Sequence, residues 1–231
     1  MKRVFITGDI HGEMEVNRFS SANFPEGKEL TKDDYVIICG DFGLVWSDPP
    51  TKVENYWLNW LNKKPWTTLF VDGNHENHIK LNEYSPQEWH GGKVHKIRDS
   101  VFHLMRGQIF DINNRKFFTY GGAESIDKAY RVPYQSWWPQ ETPNMNDYNE
   151  AVCNLRANDF KVDYIITHAA PFDYLSNLFS YRAIPGGGNT TPFQLYDIKC
   201  MCEYKEWFCG HYHIDCNVTK NFHIMYKKLL K

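Results

Sequence analysis

Five short apolar runs in this chain each stop at a small or polar residue followed by ionisable side chains. Val4-Phe5-Ile6-Thr7 stops at Gly8-Asp9-Ile10-His11-Gly12, and Tyr35-Val36-Ile37-Ile38-Cys39 at Gly40-Asp41-Phe42-Gly43. Thr68-Leu69-Phe70-Val71 leads into Gly73-Asn74-His75-Glu76. Tyr164-Ile165-Ile166 stops at Thr167-His168-Ala169-Ala170-Pro171, and Trp207-Phe208-Cys209 at Gly210-His211-Tyr212-His213. Runs this short, without polar alternation, are the pattern of strands buried on both faces. Between them, residues 54–62 carry Tyr56, Trp57, Trp60 and Leu61 at helical spacing, and residues 147–159 carry Tyr148, Val152 and Leu155. Strands alternating with helices predict an α/β sandwich. In open α/β sheets the site forms beyond the carboxyl ends of the strands, so the five polar clusters should converge there.

Composition narrows the function. With 231 residues, 42% hydrophobic and 23% charged, the chain has the make-up of a globular protein, expected as one domain over 1–231. Twenty-six basic against 28 acidic residues leave a net charge of -2, which provides no global field to gather extended nucleic acid. No stretch approaches the roughly 18–20 apolar residues of a membrane span. Asp9 and His11 interrupt the apolar start, so it reads as a strand, and a cytoplasmic location is expected. Six cysteines without a Cys-x-x-Cys pair predict reduced, mostly buried thiols rather than a structural zinc site.

The middle of the chain departs from the alternation. Residues 101–110 and 116–120 flank an Asn-rich turn and predict a β-hairpin, and residues 215–218 and 223–226 predict another. Residues 121–147 read as an aromatic insertion holding Tyr130, Arg131, Tyr134, Trp137 and Trp138; residues 183–189 read as a loop.

The strand ends offer two carboxylates, Asp9 and Asp41, four imidazoles, His11, His168, His211 and His213, and the side-chain carbonyl of Asn74. Mixed carboxylate and imidazole ligation suits manganese, iron or zinc rather than calcium or magnesium. Seven groups are too many for one ion with an open position. They suit two ions sharing a carboxylate, an arrangement that clamps the oxygens of an in-line displacement at phosphorus. Each fragment alone is commonplace, since Gly-Asp before a turn is ordinary turn chemistry. The ordered set is not.

The run Gly8-Asp9-Ile10-His11, Gly40-Asp41, Gly73-Asn74-His75-Glu76, His168 and Gly210-His211-Tyr212-His213 resembles the calcineurin-like metallophosphoesterase superfamily across residues 4–213. The resemblance implies a four-layer α/β/β/α sandwich with mixed sheets and a binuclear centre of divalent ions, manganese foremost, with iron, zinc, nickel or cobalt as alternatives. Asp9, His11 and His213 would hold one ion and Asn74, His168 and His211 the other, with Asp41 bridging. A metal-bridging hydroxide would attack phosphorus, and His75 would assist the leaving group or stabilise the transition state. The implied substrate is a small phosphomonoester or phosphodiester, with a nucleotide among the candidates, and no membrane partner. The alternatives are a nuclease or cyclic-nucleotide phosphodiesterase, a protein phosphatase, and a catalytically idle metal-binding scaffold.

Two departures matter. Leu44 and Val45 stand where protein phosphatases of this superfamily usually carry an Asp that orients the catalytic His and an Arg that grips phosphate. This weakens the protein-phosphatase reading and leaves Glu76 as a candidate to orient His75. Arg131 and Arg182 are the candidate phosphate-binding cations, because guanidinium suits bidentate contact with phosphate. His78, His90, His95, His103 and His223 fall outside the pattern and are expected to be structural or at the surface. Trp137 and Trp138 are expected to serve packing first and base stacking second.

Overall fold

The computed structural model describes residues 2–178 and 190–231. Among these, two mixed sheets of six strands lie face to face. The first holds β1 (Val4–Thr7), β2 (Tyr35–Ile38), β3 (Thr67–Phe70), β4 (Pro86–Trp89), β5 (Gly92–Arg98) and β6 (Val101–Leu104), in the order β1-β2-β3-β6-β5-β4. The second holds β7 (Gln108–Ile112), β8 (Arg115–Tyr120), β9 (Tyr164–Thr167), β10 (Glu206–Cys209), β11 (Cys216–Thr219) and β12 (Phe222–Ile224), in the order β11-β12-β10-β9-β8-β7. The runs β1-β2-β3-β6 and β8-β9-β10-β12 are parallel; antiparallel strands extend one edge of the first sheet, β5 and β4, and both edges of the second, β7 and β11.

Two-residue periodicity divides each strand between two apolar layers. Phe5, Val36, Ile38 and Phe70 face outward with Leu58 and Leu61 of α1 (Lys52–Asn62). Ile6, Ile37 and Leu69 face inward and meet Phe110, Phe117, Ile166 and Phe208 of the second sheet. That sheet buries Phe118, Ile165 and Trp207 against Leu155 of α3 (Met145–Ala157), Leu175 of α4 (Phe172–Leu178), and Leu195 and Ile198 of α5 (Thr191–Met201). The short α2 (His78–Asn82) follows the Gly73-to-Glu76 turn. The result is the α/β sandwich that the alternation predicted, in the α/β/β/α layering with mixed sheets that the resemblance implied. No helix of the described residues is long and apolar enough to cross a membrane.

Helix starts follow local chemistry. Thr51 and Glu54 form a reciprocal capping box on α1, and Asn144 and Asp147 form one on α3. The helix expected over 147–159 therefore begins two residues earlier and ends two earlier.

Residues 101–110 are not one strand. Met105-Arg106-Gly107 carries the chain from β6 in the first sheet to β7 in the second. Gly107 makes the crossing with φ 71°, and a Cβ there would lie 2.8 Å from the Ala151 backbone nitrogen. The β7–β8 hairpin itself is present, closed by Asn113 and Asn114 with φ of 58° and 59°. The second hairpin, β11–β12, is also present. The cysteines are free, but Cys153 and Cys200 are exposed, fewer buried thiols than expected. The loop expected over 183–189 lies outside the described residues.

Candidate metal centre

All five polar clusters do converge. Asp9 follows β1, Asp41 follows β2, Asn74 and His75 follow β3, His168 directly follows β9, and His211 and His213 follow β10. The turns that aim these side chains are unusual for non-glycine residues: His11, Asp41, His211 and His213 have φ of 45°, 47°, 72° and 52°. Left-handed backbone of this kind costs of order 1–3 kcal/mol per residue and clusters at functional sites. Gly40 shows why bulk is excluded here. Its φ is 94°, and a Cβ would come within 2.1 Å of the His168 Nδ1.

Asp9, His11, Asp41 and His213 each offer one ligand atom, and those atoms lie within 4.8 Å of one another. His213 Nε2 is 3.1 Å from Asp9 Oδ2, and His11 Nε2 is 3.3 Å from Asp41 Oδ2. On the other side, His168 Nε2 lies 3.1 Å from Asn74 Oδ1 and 3.2 Å from Asp41 Oδ1. The His211 ring packs edge-on to His168, with centroids 4.9 Å apart, and its backbone nitrogen donates to Asp9. Asp41 thus turns one oxygen to each group. The His168 Nδ1 is 2.8 Å from the Cys39 carbonyl oxygen, which leaves Nε2 facing the centre.

Burial and the carboxylates pull the buried imidazoles in opposite directions. Burial disfavours a charged His168, yet Asp41 and Asp9 raise its pKa to about 10. Burial, and then the neighbouring His168, lower His211 to about 4. Burial alone would raise the Asp41 carboxyl, but His168 and His11 hold it well below the usual carboxylate range. Two fully buried carboxylates beside four imidazoles and an amide oxygen form a donor set suited to divalent cations of intermediate hardness.

His75 sits at the rim. Its backbone nitrogen donates to Asp41 Oδ1 at 2.8 Å, and its ring lies edge-on to His11, with centroids 5.2 Å apart. Burial, aided by Arg131 and opposed by Asp41, lowers its pKa. Arg131 reaches the same point, with Nη2 3.2 Å from His75 Nε2, while its Nε pairs with Asp127 at 2.7 Å. Arg182 lies outside the described residues.

Glu76 does not orient His75. Its oxygens accept from the Phe42 and Gly43 backbone nitrogens. Leu44 and Val45 are buried in the core. The His75 ring packs against aromatic side chains: Trp46 stacks on it at 6.4 Å, and the buried Trp138 packs edge-on to Trp46 at 5.0 Å. Trp138 is therefore packing, not a stacking platform.

Sequence reasoning missed two polar networks beside the site. Asp72, fully buried, accepts from Arg106 Nε at 2.9 Å and lies 3.2 Å from His103 Nε2. Ser125 and Glu141, from the two ends of the aromatic insertion, pair behind Asn74. Neither belongs to a motif; adjacency of Asp72 to Gly73-Asn74-His75 was the one available sign. A cavity of about 450 Å³ at the opposite end of the strands, lined by Val4, Phe117, Tyr164 and Glu206 among others, holds no histidine. The candidate donors gather at the carboxyl ends.

No curated protein matches this chain. Among solved structures, the phosphopantetheinyl hydrolase PptH from Mycobacterium tuberculosis is similar at 14% identity and a TM-score of 0.41, over 97% of this chain and 88% of that one. A family model described as calcineurin-like phosphoesterase matches residues 2–215, and the chain belongs to that family.

Proposed function

We propose that this chain hydrolyses a small phosphomonoester or phosphodiester at a pair of divalent ions, manganese foremost. The observation that carries the reading is Asp41, whose two oxygens each face a separate group of donors, 3.3 Å from His11 and 3.2 Å from His168. In this reading Asp9, His11 and His213 hold one ion and Asn74, His168 and His211 the other, with Asp41 common to both. Bound there, the ions supply an activated water and positive charge for in-line attack at phosphorus.

The protein's own groups do the rest. Asp41 and Asp9, both buried, would fix the ion positions. Arg131 donates to a phosphoryl oxygen at the rim, where its charge counts for more than in open water. His75, held by Trp46, His11 and Arg131, assists the leaving oxygen or stabilises the charge that develops on the phosphoryl group. Arg182 stays a second candidate cation. Tyr130, 93% exposed beside Arg131, favours a nucleotide diester as the second reading, because an exposed ring can stack on a base. The complete set of seven donors weighs against an idle scaffold, and Leu44 and Val45 weigh against a protein phosphatase. The chain is read as one domain acting in the cytoplasm.

The test is hydrolysis by purified protein with Mn²⁺, using p-nitrophenyl phosphate and its bis ester. Turnover of either, abolished by chelation and restored by Mn²⁺, supports the reading. Hydrolysis of neither contradicts it.

A further inference from the structure

The amide of Asn74 stands between two partners. Its Oδ1 is 3.1 Å from His168 Nε2, and its Nδ2 donates to Ser125 Oγ at 3.3 Å. Ser125 in turn meets Glu141 twice: its hydroxyl lies 2.8 Å from Oε2 and its backbone nitrogen 2.6 Å from Oε1. All three residues are buried, Ser125 and Glu141 to 1% exposure. The Arg106 guanidinium donates to the backbone oxygens of Gln140 and Glu141 at 2.9 and 3.2 Å, which holds the end of the insertion in place.

Counting hydrogens gives this line a direction. An ionised carboxylate has none to give, so the Ser125 hydroxyl donates its single hydrogen to Glu141. Toward Asn74 the hydroxyl then presents only lone pairs. Asn74 must answer with its NH₂, which turns its carbonyl oxygen toward His168. The oxygen can coordinate a cation and the NH₂ cannot. We propose that Ser125 and Glu141 are positioning residues for the second cation: the Glu141 carboxylate, acting through the Ser125 hydroxyl, sets the face that Asn74 turns to the metal centre. The inference rests on the reading of Asn74 as a ligand. It makes the aromatic insertion a functional part of the centre rather than a surface addition.

Glu141→Gln tests the direction of the relay. The new carbonyl still accepts from the Ser125 backbone, and the new NH₂ faces the hydroxyl and donates to it. The hydroxyl hydrogen is pushed toward Asn74, which flips to offer its oxygen to Ser125. Apoprotein is titrated calorimetrically with Mn²⁺. Wild type should take two ions. Glu141→Gln should leave the first ion unchanged and weaken the second by about 10–100-fold, the usual effect of losing a group that orients a ligand. In the Asn74→Asp background residue 74 offers an oxygen whichever way it turns, so adding Glu141→Gln should weaken the second ion by less than about threefold. A general loosening of the fold would weaken it equally in both backgrounds, so the non-additivity is the signature. If circular dichroism shows Glu141→Gln unfolded, Ser125→Ala replaces it; that variant frees the amide and should also weaken the second ion by about tenfold or more. Wild-type affinity in these variants, or equal weakening in both backgrounds, overturns the proposal while wild type still binds two ions. A wild-type chain holding fewer than two overturns the dimetal reading, and this inference with it.

Discussion

The Arg131 guanidinium stands with Nη2 3.2 Å from His75 Nε2, although 56 residues separate the two in sequence. The insertion thereby brings a cation to the edge of the candidate metal centre, where the proposed reading places a phosphoryl oxygen. Arg131→Ala should lower kcat/KM by about 10–100-fold, the range for losing a charge-assisted hydrogen bond. The loss should lie mainly in KM, and Arg131→Lys should restore only part of it. His75→Ala should instead lower kcat while metal content stays near two ions per chain. Steady-state kinetics with elemental analysis checks both variants; an unchanged KM in Arg131→Ala would remove that residue from substrate binding.

Asp41→Asn should be the most damaging single change at the centre. One of its oxygens becomes an NH₂, so one of the two groups loses its shared donor. Activity should fall on the order of a thousandfold, since several kcal/mol of transition-state stabilisation depend on the paired charge. Elemental analysis should show fewer than two ions. A variant with near-normal activity and two ions would refute the bridging role.

Much of this was legible in the sequence because strands buried on both faces leave uninterrupted apolar runs, and each run ends on candidate ligands. Asp9, Asp41, Asn74, His168 and His211 could be found because each sits within four residues of a strand end. The crossing at Arg106 was not legible: hydrophobicity reports that β6 and β7 are buried, not that they belong to different sheets, and Gly107 was the sole mark of the break. Ser125, Glu141 and the Asp72–Arg106–His103 network come from separate elements and meet only in space. No spacing rule reports that kind of contact. Arg131 could be named as a candidate from its guanidinium chemistry, but only the fold brings it to His75.

The Asp72–Arg106 pair should matter for stability. Arg106 binds Asp72, Asp147 and two backbone carbonyls, and Asp72 is fully buried. Removing one partner of such a pair leaves a buried charge uncompensated, so Arg106→Ala should cost about 3–5 kcal/mol. Urea denaturation measures it. A loss below about 1 kcal/mol would mean that His103 and His78 compensate Asp72 without the guanidinium.

The buried His95 should make the fold sensitive to acid. Its Nδ1 lies 3.1 Å from His103 Nδ1; burial, and then His103, push its pKa down to about 4, with Asp72 opposing. An unfolded His takes up a proton near pH 6.5. Between about pH 6.5 and 4 the unfolded chain therefore binds a proton that the folded ring refuses, and stability falls with pH at up to about 1.4 kcal/mol per pH unit. Above that window this ring contributes no slope. His78, lowered to about 3 mainly by burial, adds in the same direction. Urea midpoints from pH 7.5 to 4.5 should show the decline, and His95→Gln should flatten it. An unchanged slope in that variant would rule out His95 as its source.

The most direct test of the dimetal centre is anomalous diffraction from crystals of the Mn²⁺-loaded protein. Two peaks about 3.5–4 Å apart, one beside each Asp41 oxygen, are expected. A single peak, or peaks away from Asp41, would contradict the account.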